Sequence, residues 1–134
     1  MTVDDVMELA PVIPVLVVDK VSDALPIARA LVAGGLRALE VTLRTEGALD
    51  VIREMSQVEG AVVGAGTVVT PQQLDAVLSA GAKFIVSPGT TQELLDIARD
   101  SDVPMLPGAV TPSEIMAMRE EGYSILKFFP AEQA

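Results

Sequence analysis

A chain of 134 residues suits a single domain, and its hydrophobic content of 50% is ample for a core. The formal net charge of −10 leaves no basic surface for nucleic acid or an anionic membrane, so an anionic small molecule would need a local cationic site. With neither cysteine nor histidine, the chain lacks disulfides, thiolate metal sites, the usual zinc ligands and the commonest acid/base residue, which leaves proton transfer to Glu, Asp, Lys, Tyr or water.

The elements follow in chain order. Thr2 caps a short leading helix within residues 1–10, with Asp4 and Asp5 in its first turn. Val12 to Val18 is an almost unbroken β-branched run, the pattern of a strand covered on both faces. Ser22 is expected to cap a helix to Ala33, which Gly34-Gly35 ends. Leu36 to Leu43 reads as a strand, Thr45 as the cap of a helix to about Gln57, and Ala61 to Ala65 as a strand. Thr70-Pro71-Gln72-Gln73 combines N-cap, N1 and N3 preferences in one helix start, and Gly81 closes that helix. Lys83 to Ser87 is a strand, Thr90 with Glu93 a capping box, and Val103 to Leu106 a short strand. Thr111-Pro112-Ser113-Glu114 opens a helix that ends before Gly122, and a last strand covers residues 124–130. This gives six strands, five crossover helices and no linker. No apolar run is long enough to span a membrane, and the acidic N-terminus lacks the basic region of a signal peptide, so the cytoplasm is the simplest expectation.

Strands alternating with single helices every 20–25 residues or so indicate parallel βαβ units, either in an open doubly wound sheet or in a (β/α)8 TIM-barrel wall. Gly64-Ala65-Gly66 invites a dinucleotide reading, but Val69 stands where the third glycine belongs. The same glycines read equally as a tight turn or as part of a functional loop. The barrel is favoured by polar residues at strand ends. Glu40, Thr42 and Arg44 share parity, Thr67 ends the third strand, and Pro88-Gly89, Pro107-Gly108 and Pro130 end the next three. Glu40 and Arg44 could equally form a structural ion pair with Lys127 or each other. They are not a helix-type pair, because four residues along a strand span about 13 Å.

Residues Ser124 to Pro130 carry the most informative side chain. Alternation places Ile125, Lys127 and Phe129 on one face and Leu126 and Phe128 on the other. A lysine buried between apolar neighbours has its pKa lowered, and a neutral amine attacks a ketone to form a Schiff base. Alternatively, its stem packs on apolar surface while the ammonium reaches water.

The segments 39–45 (LEVTLRT), 63–68 (VGAGTV), 85–89 (IVSPG) and 127–132 (KFFPAE) together resemble the 2-keto-3-deoxy-6-phosphogluconate (KDPG) and 4-hydroxy-2-oxoglutarate (KHG) aldolase family, in the right order along nearly the whole chain. The resemblance implies a class I aldolase of the Entner–Doudoroff route that releases pyruvate from a small 2-keto acid. It implies Lys127 as the Schiff-base lysine and Glu40 as acid/base acting through a water. Arg44 and Thr67 would hold the pyruvate carboxylate, and Pro88 and Phe129 would wall the pyruvyl group. It calls for no metal and no organic cofactor, and suggests a homotrimer for the completed protein.

A complete barrel needs eight strands, and the family's phosphate site is built after the seventh and eighth. The expectation is therefore one partial barrel domain over residues 1–134, from a truncated record, an engineered fragment or a split protein completed by a partner. An inactive assembly fragment, or another Schiff-base pyruvate lyase or isomerase on the same barrel, are the alternative functions.

Overall fold

In the computed structural model, which describes residues 1–134, six parallel strands pair strictly in sequence order: β1 (Val15–Leu16), β2 (Ala38–Thr42), β3 (Val62–Gly66), β4 (Phe84–Ser87), β5 (Met105–Ala109) and β6 (Lys127–Phe128). A leading helix α1 (Val3–Met7) precedes them. The crossovers are α2 (Ala24–Ala33), α3 (Ala48–Met55), α4 (Pro71–Ala80), α5 (Gln92–Asp100) and α6 (Pro112–Glu120). A doubly wound sheet reverses its strand order at a switch point, and this one never does.

The sheet is also curled. Across four flat strand spacings, β2 and β6 would lie about 19 Å apart, yet side chains from these two strands come within 3.9 Å of each other. The wall is therefore that of a half-barrel. No helix is long and apolar enough to cross a membrane.

The two faces of the wall are packed differently. Outside, Leu39, Val41, Val63, Ala65, Ile85 and Met105 meet the helices in a cluster of 23 buried residues, so most of the core lies between sheet and helices. Helix α3 contributes Ala48, Val51, Ile52 and Met55, the i, i+3, i+4, i+7 stripe of an amphipathic helix. Inside, Ala38, Val62, Phe84 and Val86 form a smaller layer that α1 closes from below with Val6. Pairing fixes which residues join them. Glu40 is opposite Gly64 and Gly64 opposite Phe84; Val86 is opposite Leu106; Gly108 is opposite Lys127. Side-chain alternation then sets Glu40, Phe84 and Lys127 on the inner face.

Several helix starts follow their sequence signals. Thr2 caps α1 in a capping box with Asp5, Thr70 accepts from Gln73 N, and Thr111 forms a capping box with Glu114. Others are corrected. Ser22 lies inside a 3-10 turn (Val21–Asp23), and α2 begins after it without a side-chain cap. Thr45 donates to Val18 O at 3.2 Å, so it ties the end of β2 toward β1 instead of capping α3, whose N-cap is Gly47. Thr91, not Thr90, caps α5, because Thr90 donates its hydroxyl to Met118 Sδ.

The strand readings also shift. Gly64-Ala65-Gly66 is strand and not a turn. Gly64 is needed there because a Cβ would strike the Phe84 ring. Pro107 and Gly108 lie inside β5, not at its end. The first strand is not covered on both faces: Val15 and Val17 are about half exposed, since β1 is a sheet edge paired only with β2. The lysine strand is likewise an edge, with Phe128 55% exposed, and it spans only Lys127–Phe128 instead of the expected residues 124–130.

Candidate active site

The inner face carries one buried carboxylate, Glu40, at the centre of β2. β2 is buried along its whole length, so Glu40 has lost its water. Its Oε1 accepts no hydrogen bond. Desolvation raises its pKa above the usual glutamate value, and the positive charges of Lys127 and Arg44 only partly counter that rise.

Lys127 reaches Glu40 from the opposite side of the curl, with Nζ 3.9 Å from Oε1. That distance is beyond hydrogen-bond range, so the pair is a charge contact and not a locked bridge. The lysine side chain keeps 24% of its exposure, less enclosed than the sequence suggests, because β6 is open on its outer side. Its Nζ also lies 4.8 Å from the centre of the Phe129 ring, within cation–π range. Phe129 lies one residue beyond β6, so this contact, and not strand alternation, sets it beside Lys127.

The remaining expected residues follow the C-terminal ends of their strands. Thr67 follows β3 directly and adopts φ +60°, a left-handed conformation uncommon for a β-branched residue. Pro88 follows β4. Arg44 differs most from its expectation: β2 ends at Thr42, so strand parity no longer directs it, and it is an exposed residue of the following turn. Thr42, of the same parity as Glu40, is buried and donates to Leu16 O at 3.0 Å, which holds the end of β2 against β1.

A cavity of about 370 Å³ opens between the β4–α5 turn, α6 and the segment after β6. Pro88, Thr90, Gly108, Met118, Phe129 and Pro130 contribute to its walls. Both expected wall residues, Pro88 and Phe129, thus belong to one cavity, while Lys127 and Glu40 do not line it. No three carboxylates converge as a metal site would require.

A family model described as KDPG and KHG aldolase matches residues 3–134. The chain belongs to this family. Among curated relatives, the KHG/KDPG aldolase of Escherichia coli K12 is 52% identical over 130 residues, covering 96% of this chain and 61% of that protein. The structure of the 2-keto-3-deoxy-6-phosphogluconate aldolase of Zymomonas mobilis ATCC 29191 superposes with a TM-score of 0.96 at 50% identity, over 99% of this chain and 65% of that one. The KDPG aldolase of Legionella pneumophila, with pyruvate captured at low pH as a covalent carbinolamine intermediate, gives a TM-score of 0.94 at 44% identity, over 99% of this chain and 65% of that one. The chain spans about three fifths of the length of the curated relatives it matches.

One residue beside Glu40 is not apparent from the sequence as its neighbour. Gly66 on β3 faces Glu40 so closely that a Cβ there would lie 2.8 Å from the glutamate Cδ. The GAGT stretch drew attention to the glycine, but only the pairing of β2 with β3 reveals what it faces. Ser87 was not singled out either. Its Oγ is buried without a partner, but it alternates with the inner-face residues and so lies on the helix side.

Proposed function

We propose that the protein is a class I aldolase that cleaves 2-dehydro-3-deoxy-6-phosphogluconate to pyruvate and glyceraldehyde 3-phosphate, and that 4-hydroxy-2-oxoglutarate is a second substrate yielding pyruvate and glyoxylate. The observation that carries this reading is the approach of Lys127 Nζ to the desolvated Glu40 carboxyl, on the inner face of a curled parallel sheet. An amine beside an acid of raised pKa is the pair an imine mechanism needs.

Lys127 Nζ attacks the C2 carbonyl of the keto acid, and loss of water gives the imine. The protonated imine accepts the electron pair of the C3–C4 bond as Glu40 takes the C4 hydroxyl proton, which releases the aldehyde and leaves the enamine of pyruvate. Glu40 then returns a proton to C3, and water hydrolyses the imine. The action of Glu40 through an intervening water belongs to the same reading. Two cations and one carboxylate leave the site with a positive charge to meet the substrate carboxylate, in a chain that is otherwise strongly acidic. Arg44 and Thr67 are assigned to that carboxylate, and Pro88 and Phe129 to the walls around the pyruvyl group. A homotrimer in the cytoplasm completes the proposal.

The test is pyruvate release from each substrate by the wild type and by Lys127→Ala. Turnover of one or both by the wild type and none by the variant is expected; equal turnover by the two proteins would exclude the lysine.

A further inference from the structure

Glu40 is opposite Gly64 in the pairing of β2 with β3, yet its carboxyl lies against the next inward-facing position along β3, Gly66. A Cβ built on Gly66 would penetrate the contact shell of Glu40 Oε1 and stand 2.8 Å from Cδ and 2.9 Å from Cγ. Real Cβ atoms do not approach that closely, so the carboxyl rests on bare backbone. Gly66 does not need its backbone freedom, because its φ is not positive. Strand geometry is open to any residue here, and only the missing side chain distinguishes glycine. No hydrogen bond holds Oε1 from another direction.

We propose that Gly66 is a positioning residue: the space above its Cα is the seat of the Glu40 carboxyl, and sets the distance and angle at which that acid meets the carbon next to the Lys127 imine. The inference rests on the aldolase reading above. A side chain at position 66 lifts the carboxyl off the wall of the sheet, toward Lys127 and the space the substrate occupies. A displacement of about 1 Å in a reacting group costs on the order of 10²-fold in rate.

Pyruvate alone tests this. Wild-type protein should form the imine with pyruvate, Glu40 should remove a C3 proton with the electron pair moving into the imine, and return of a deuteron from D2O should label the methyl group. In Gly66→Ala, borohydride should still trap pyruvate on the protein, while C3 exchange should fall about 10²-fold with little change in the pyruvate concentration for half-saturation. The double variant Glu40→Asp/Gly66→Ala separates seating from general damage. A shorter acid removes the nearest of the three contacts, that with Oε1, so the alanine should slow exchange less in the Glu40→Asp background than in the wild type. If Gly66→Ala does not fold, the double variant should, since it removes the closest contact. Exchange at the wild-type rate in Gly66→Ala, equal losses in both backgrounds, or failure of both variants to fold would each overturn the proposal. Failure of the wild type itself to trap pyruvate would instead overturn the aldolase reading.

Discussion

Lys127 Nζ and Glu40 Oε1 stand 3.9 Å apart although three strands separate theirs in the sheet. A polar contact this long makes no hydrogen bond, so the lysine is not committed to the acid. The buried glutamate has no other partner for that oxygen and is held at a raised pKa by its loss of solvent.

Glu40→Gln should separate proton transfer from imine formation. The amide cannot act as a base, so C3 exchange of pyruvate should slow by roughly 10²–10⁴-fold while trapping survives. Stability should change with pH in a defined direction. The folded pKa of Glu40 lies above its ordinary value of 4.5, because burial disfavours the charge. Its contribution is then complete below 4.5 and is lost as pH rises through the folded value. Glu40→Gln should therefore gain stability relative to wild type as pH rises and lose that advantage as pH falls toward 4.5. Chemical denaturation across pH measures this; an advantage that grows on acidification would contradict the burial account.

Thr67→Gly should trade binding for stability. Threonine at φ +60° stores about 1–2 kcal/mol of left-handed strain, partly offset by the greater unfolded-state entropy of glycine, for a net gain of about 0.5–1 kcal/mol. Strain retained next to Gly66, which faces Glu40, points to a use for the threonine side chain. The glycine variant should melt higher and bind pyruvate more weakly, as calorimetry and the half-saturation of exchange would show. A lower melting temperature would mean that the hydroxyl is structural.

The pattern of local signals explains how far the sequence reading reached. Thr70-Pro71 and Thr111-Pro112 were legible because their caps are settled within four residues. Thr45 and Thr90 carry the same signal, but their hydroxyls are claimed by Val18 O and Met118 Sδ, partners 27 and 28 residues away. Alternation identified the inner face of β2. It overextended at Arg44, beyond the end of the strand, whereas the open edges of β1 and β6 follow from the count of six strands against the eight of a closed barrel. The seat of Glu40 on Gly66 was not legible, because it depends on the β2–β3 register and on the lean of one side chain.

Residues 1–134 produced alone should self-associate. β1 and β6 each leave one side of the ladder unpaired, and Val12, Val15, Val17 and Phe128 are large apolar residues half exposed or more at those edges. Light scattering after size exclusion should detect oligomers or aggregates, and Val15→Lys with Val17→Lys should reduce them. A monodisperse monomer that melts cooperatively would show that the open edges are tolerated.

The most direct test of the account is borohydride reduction in the presence of pyruvate, followed by intact mass and peptide mapping. A single pyruvyl adduct on Lys127, absent from Lys127→Ala and present in Glu40→Gln, is the predicted result. An adduct on Lys20 or Lys83, or one that persists in Lys127→Ala, would contradict it.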